Sequence, residues 1–216
     1  MKSKRLLWQA AIVSSMSLTL SLGAAGQSSE SAVTDGQVVD MGTYEVEAPP
    51  GDGWTVKTDN SLGMVLFQKI APGGKLTAIS VISGYLRPGT ENQTEDEIAT
   101  MVLASEEENM RERGASRSYI LKDLSRGFTT IDEKKYHVMS YSITDRSGAV
   151  PLEFKYAMYL YLPPDIKHEK DFYAFLISDA YKVGASAYEA DLTRIRPVIS
   201  SFHLRRSGVR RPGAGQ

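Results

Sequence analysis

The residue types that most often carry catalysis or bind metals are few in this chain. The 216-residue sequence has no cysteine and three histidines, His137, His168 and His203. Their spacing is not that of a metal site, so we interpret all three as structural or surface residues. The absence of cysteine excludes thiol catalysis, redox motifs and cysteine-based zinc sites. The sequence therefore predicts no catalytic, cofactor-binding or metal-binding residue and no cofactor.

Three short motifs resemble binding sites but lack parts that such sites need. Gly73-Gly74-Lys75 lacks the earlier glycine of a phosphate loop. Residues 59–63 resemble the start of a calcium loop without its later carboxylates. The acidic run Glu106–Glu108 would suit a cation, but we interpret it as a solvated helix face. A Gly-x-Ser-x-Gly nucleophile elbow is also missing, so we expect a protein that is not an enzyme.

The first 25 residues have the three-part pattern of a secretory signal peptide. Lys2, Lys4 and Arg5 precede the charge-free run Leu6–Ala25, which ends in small residues. We predict cleavage after Ala25 and a periplasmic or secreted protein. Alternatively, the run is retained as an anchor, which is the one case in which we expect membrane association. Lipid anchoring through cysteine is excluded.

The charges are unevenly distributed along the chain. All 26 acidic residues lie between Glu30 and Asp191, and seven of the 25 basic residues lie in the first 25 and the last 12 positions. The body therefore carries a net charge of −8, which argues against a nucleic-acid partner. Residues 26–42 and the arginine-rich tail 205–216 are polar and are predicted to be disordered. Residues 43–204 are the length of a single domain.

Hydrophobic periodicity predicts an α+β fold over residues 43–204. The element order is β-β-β-α-β-β-β-β-α, with a mostly antiparallel sheet of about six to seven strands and helices packed on it. After the first helix we expect strands over 119–124 and 128–131 separated at Gly127, a hairpin turn at 132–135, and a central strand over 172–178, which is apolar on both faces. The first helix is predicted from the capping box of Thr94 and Glu97 to a stop at Gly114. The second has an apolar stripe with helical spacing, and Pro197 should kink or restart its last turn. This stripe consists of Tyr188, Leu192, Ile195, Ile199 and Phe202.

Two short motifs resemble those of the PsbP-like superfamily, which includes bacterial periplasmic DcrB-like domains. They are the opening strand of residues 44–50 followed by Gly53-Trp54, and the closing Ile199-Ser200-Ser201-Phe202. The order of elements between them is also similar. The resemblance implies a PsbP-like sandwich and a role in binding, assembly or chaperoning rather than catalysis. It transfers no binding residue to this chain.

Three functions are compatible with these observations. The first is a non-catalytic accessory protein of the cell envelope that binds another protein. The alternative is a small-ligand carrier with an apolar pocket between sheet and helix, and the third is a hydrolase with an unrecognised site. Tyr159 and Tyr161 share one face of a strand and would suit a protein partner if exposed. The simpler interpretation is that the second helix covers them.

Overall fold

The computed structural model describes residues 30–71, 75–85, 90, 92–117, 119–146, 151–163, 173–182 and 188–205. The predicted signal peptide, the motif residues Gly73 and Gly74, and His168 lie outside the described residues. The described elements are eleven strands and two helices: β1 (Glu30–Ala32), β2 (Val38–Asp40), β3 (Tyr44–Glu47), β4 (Thr55–Asp59), β5 (Met64–Ala71), β6 (Lys75–Tyr85), α1 (Glu95–Arg117), β7 (Tyr119–Ile131), β8 (Lys134–Asp145), β9 (Leu152–Tyr161), β10 (Tyr173–Lys182), α2 (Tyr188–Ser201) and β11 (His203–Leu204).

The strands form two antiparallel sheets. The larger has eight strands in the order β1-β4-β5-β6-β10-β9-β8-β7, and the smaller has three in the order β11-β3-β2. The predicted α+β class and the antiparallel pairing are confirmed, but the single sheet of six to seven strands is wrong. Part of the difference comes from β1, β2 and β11, which have only two or three residues each, too few for a periodic pattern.

The expectation of disorder over residues 26–42 is wrong for residues 30–42. Val33 is buried in the core, and its backbone N–H donates to the carbonyl of Trp54 at 3.1 Å. At the other end, Arg205 was predicted to begin the disordered tail. Its guanidinium instead pairs with Asp40 at 2.8 Å and with Glu45 at 3.1 Å. Both segments are held by contacts to distant strands, which local composition does not reveal.

The two faces of the large sheet bury two separate cores. Val138 pairs with Tyr159 and Met139 with Met158, so successive residues of β8 and β9 point to opposite faces. One face packs against α2 and the small sheet, and the other packs against α1. Tyr159 is buried on the α2 face. This confirms the interpretation that the second helix covers that face.

Helix α1 begins where the sequence predicts and ends later. Thr94 and Glu97 form the expected capping box: the Glu97 N–H donates to the Thr94 hydroxyl at 3.3 Å, and Glu97 accepts from the Thr94 N–H at 2.7 Å. The predicted stop at Gly114 is wrong, because the helix continues to Arg117. A Cβ at position 114 would lie 3.0 Å from the Tyr119 carbonyl oxygen. The glycine therefore permits close approach of β7 rather than ending the helix.

Helix α2 buries the predicted stripe where its side chains are described. Ile195, Ile199 and Phe202 are all buried, and the Phe202 ring meets that of Tyr161 edge-on at 6.3 Å. The side chains of Tyr188 and Leu192 lie outside the description. The helix runs through Pro197 to Ser201, so the predicted restart at this residue is wrong.

Candidate functional site

The outer edge of the large sheet is a long hairpin of β7 and β8. Asp132 and Glu133 form its two-residue turn with φ angles of 48° and 65°. Positive φ at both central residues is the type I′ geometry, which matches the twist of paired strands. The hairpin turn was predicted from composition and is confirmed. It fixes the register of β7 on β8 and leaves β7 as the last strand of the sheet.

A bulge divides β7 into two parts. The pairing register shifts between Lys122 and Ser125, and Asp123 adopts a φ of 53°. The Asp123 carboxylate accepts a hydrogen bond from the Ser142 hydroxyl at 3.0 Å, which holds the bulge on β8. Bulges of this kind interrupt an edge and limit unwanted strand pairing. The regular part of the edge is therefore Ser125–Ile131.

An open cleft of about 460 Å³ lies between this regular part of β7 and helix α2. Val138 and Tyr159 contribute its apolar surface from the sheet, and Ile195 and Arg196 line it from the helix. Gly127 opens the cleft further, because a Cβ built on it would meet no atom within 4 Å. The other lining residues are Ser125, Arg126, Phe128, Thr129, Thr130, Ile131 and Ser140.

The register separates the side chains of β7 between two faces. Gly127 pairs with Val138 and therefore faces the cleft, whereas its neighbours Arg126 and Phe128 point to the α1 face. The Arg126 guanidinium forms an ion pair with Glu107 of α1. Phe128 is 74% exposed on that face. The charged side chain available to the cleft is thus that of Arg196, which is exposed and has no ion pair among the described residues.

A second cluster of charges joins the start of α1 to β8. The Nζ of Lys135 lies 2.8 Å from the Asp96 carboxylate, and the Nε2 of His137 lies 3.1 Å from Glu95. The hydrogen bond from Lys135 lowers the pKa of Asp96, and the same contact raises the pKa of Lys135. The Lys135 ammonium group lies within ion-pair distance of both carboxylates, 2.8 Å from Asp96 and 3.8 Å from Glu95. This cluster fastens the helix to the sheet.

The acidic run at 106–108 divides into three different environments. Glu106 is only 1% exposed, so the interpretation of a solvated face is wrong for this residue. Glu107 pairs with Arg111 at 2.8 Å and with Arg126, and these hydrogen bonds, first that from Arg111, lower its pKa. Glu108 is exposed. Glu107 therefore links α1 to β7.

The structure brings together only some of the histidine and acidic residues that were considered as candidates for chemistry. His137 belongs to the charge cluster at the start of α1, and His203 is exposed on β11. Within the described ranges, no group of three or more histidine, aspartate or glutamate side chains is arranged to hold a metal ion. Asp59 accepts bonds from the N–H groups of Ser61 and Leu62 and so organises a turn. A pocket between sheet and helix was considered as an alternative, but its position beside β7 and its lining residues were not predicted.

Comparison with known proteins gives a structural likeness at low sequence identity. No family model matches the chain, and no curated protein matches its sequence. The chain is similar to the solution structure of cyanobacterial PsbP (CyanoP) from Synechocystis sp. PCC 6803, with 17% identity and a TM-score of 0.47 over 85% of this chain and 99% of that one. A PsbP-like arrangement was the resemblance given by the sequence. No property of that protein is carried over to this chain.

The described helices were also compared with the dimensions of a bilayer. Neither of them combines the length and the apolar character that crossing a membrane requires.

Proposed function

We propose that this chain is an exported, non-catalytic accessory protein of the cell envelope that binds another protein through β7 and the adjoining cleft. The observation that carries the proposal is the combination of an outermost strand with an open, partly apolar cleft along the same residues, Ser125–Ile131. An outer strand presents unpaired backbone N–H and C=O groups, and a cleft beside it can select side chains.

The composition of the cleft supports binding rather than catalysis. Its polar side chains are hydroxyls and arginines, for example Ser140, Thr129 and Arg196. The described residues that line it include no histidine, aspartate or glutamate that would activate a hydroxyl or transfer a proton. A protein segment is a suitable occupant because backbone groups and side-chain pockets can be used together.

Site-specific photo-crosslinking in the native envelope tests the proposal. A photoreactive residue at Thr129 samples the cleft, and one at Ile70 is the control, since Ile70 is exposed on β5 and does not line the cleft. We expect a discrete adduct from position 129, reduced by Gly127→Val and absent from position 70. Equal adducts from both positions, or none from 129 in correctly exported protein, would contradict the proposal.

A second candidate function is a carrier of a small apolar ligand. The cleft lies between sheet and helix, and its volume of about 460 Å³ falls within the ordinary range for ligand pockets, about 300–1,000 Å³. Native mass spectrometry of protein purified from its own envelope tests this function. A stoichiometric small molecule that Gly127→Val displaces would favour the carrier. Its absence together with the crosslink from Thr129 would favour the protein partner.

A further inference from the structure

We infer that the partner contributes an extended segment that pairs with Ser125–Ile131 as a further strand. It places a large apolar side chain over Gly127 and an acidic side chain beside Arg196. The inference rests on the proposed function and specifies the partner chemistry. Three features carry it: the edge of β7 that no described strand covers, the missing side chain at Gly127 and the charge of Arg196.

The backbone of β7 can accept another strand along seven consecutive residues. Within the described part of the chain, β8 is the neighbour of β7, and no strand pairs with its outer side. The bulge at Asp123 confines regular pairing to Ser125–Ile131. An added strand alternates its side chains between the two faces, so every second residue lies on the cleft face. Strand addition therefore directs about half of the segment's side chains toward the cleft.

The gap over Gly127 determines the shape of one of these side chains. Nothing within 4 Å would meet a Cβ on Gly127, and Val138, Tyr159 and Ile195 supply apolar surface nearby. A glycine on an outer strand is commonly covered by a large, often aromatic, residue on the strand paired with it. On β8 the residue paired with Gly127 is Val138. Because β8 already places Val138 there, a bulky residue that covers the gap would have to come from the incoming strand.

Arg196 determines the charge of the neighbouring side chain. It is exposed at the cleft and has no ion pair among the described residues. Residues two positions apart on a strand lie on the same face, so an acid two positions from the apolar residue reaches the same cleft. A guanidinium recognises a carboxylate through directional, charge-assisted hydrogen bonds. The segment is therefore apolar and acidic rather than basic.

The same charge argument disfavours two other occupants. The residues of a second copy's β7 on the cleft face are Ser125, Gly127, Thr129 and Ile131, which include no carboxylate. The chain's own residues 206–216 carry three arginines and no acid, so they would bring like charge to Arg196. Neither occupant complements the cleft.

A matched pair of synthetic peptides tests the inference with the mature protein. Each capped peptide has seven residues of alternating valine and threonine, with a central phenylalanine on the cleft face. Two positions from it, one peptide has glutamate and the other lysine. Titration followed by amide NMR shifts measures affinity and location. We expect shifts centred on Ser125–Ile131 and an affinity about fivefold higher for the glutamate peptide, the size of an exposed ion pair.

Two variants separate specific recognition from a general effect. Arg196→Glu should invert the order so that the lysine peptide binds more tightly, which loss of structure would not do. Gly127→Val should weaken both peptides about tenfold by occupying the gap, without lowering the melting temperature. Ile70→Ser is the control for removing an exposed apolar side chain elsewhere, and it should bind both peptides as the parent does.

Three outcomes would overturn the inference, and a fourth would overturn the proposed function with it. One is an unchanged order of affinities in Arg196→Glu, and another is shifts that lie away from β7. The third is no binding of either peptide while Thr129 still crosslinks to a protein, in which case the proposed function stands and strand addition fails. If position 129 crosslinks only to a second copy of this chain, both the inferred partner and the proposed one are wrong.

Discussion

Two buried tyrosines offer a matched test of how polar groups contribute to this fold. Tyr44 and Tyr136 both have 0% exposure and belong to the same apolar core. The Tyr44 hydroxyl lies 3.0 Å from the Val81 carbonyl oxygen and 3.1 Å from that of Gly63. The Tyr136 hydroxyl has no hydrogen-bond partner within the described part of the chain. Burial raises the pKa of both phenols above its ordinary value, so both stay neutral at physiological pH.

Phenylalanine removes the hydroxyl from each tyrosine without creating a large cavity. In Tyr44→Phe the Gly63 carbonyl keeps its bond from the Ser83 N–H at 3.0 Å, while the bond to Val81 is lost. We expect this variant to lose about 1–2 kcal/mol of unfolding free energy, the usual cost of one buried hydrogen bond. Tyr136→Phe removes a buried polar group that lacks a described partner. We expect it to be neutral or to stabilise by up to about 1 kcal/mol.

Chemical denaturation of the parent and both variants measures the difference. The linear extrapolation is comparable between them because neither change should alter the slope. The two variants should differ by about 2 kcal/mol, with Tyr136→Phe the more stable. Equal destabilisation would refute the reasoning and show that the Tyr136 hydroxyl has a partner beyond the described residues. A stable Tyr44→Phe would show that the two carbonyl contacts contribute nothing.

Three further predictions concern the core, the charge cluster and the N-terminus. Phe202→Ala should cost about 3–5 kcal/mol in a denaturant melt because Phe202 is buried in the core, whereas deleting 206–216 should change stability within error; equal losses would contradict this boundary. Lys135→Met should raise the pKa of Asp96 toward its usual 3.8 in a carboxyl NMR titration, since the Lys135 contact lowers it. The Lys135 contact stabilises the fold at pH values above the pKa of Asp96 in the unfolded chain. This stabilisation disappears as the pH falls through the lower pKa of Asp96 in the folded protein, so the unfolding free energy of the variant should depend less on pH than that of the parent, and only in the acid range. N-terminal sequencing of protein from its native host should begin at Gly26 or one residue later, and an intact N-terminus in membrane-bound protein would contradict export with cleavage.

The parts of the fold that were predictable are those encoded by neighbouring residues. The capping box of Thr94 and Glu97 and the turn at Asp132-Glu133 are local, so their residue types and spacing were enough. The buried part of the α2 stripe was predictable for the same reason, since its period is that of a helix. The central position of β10 was indicated by an apolar run on both faces, and it lies between β6 and β9.

The parts that were missed depend on contacts between distant segments. β1 pairs with β4 through three residues, and β11 pairs with β3 through two, too few for a periodic pattern. Arg205 has the composition of a disordered tail, yet Asp40 and Glu45 hold it. Glu106 was interpreted as solvated from its acidic neighbours although it is buried. In each case tertiary contacts outweigh local composition.

The cleft was missed because its key residue was interpreted as a break between strands. Residues 119–131 were taken as two strands separated at Gly127, whereas β7 runs through this position with a bulge at Asp123 instead. A glycine inside a strand is a signal for close approach of a ligand or backbone, and that signal was present in the sequence. The sequence contains no comparable signal at Arg196, because the position of this residue at the cleft depends on how α2 packs across the sheet.

Gly127 is the one glycine with described surroundings that has neither a positive φ nor a close neighbour to explain it. Glycine inside a strand costs about 0.5–1 kcal/mol relative to a residue with a side chain. This cost is offset where the residue has a positive φ or where a neighbouring atom lies too close for a Cβ. Neither condition holds at Gly127. Gly63 and Gly114 show the contrast, since a Cβ there would come within 2.3 Å and 3.0 Å of other atoms. A glycine that packing does not require, on an outer strand beside an open cleft, is best explained by an occupant that needs the space.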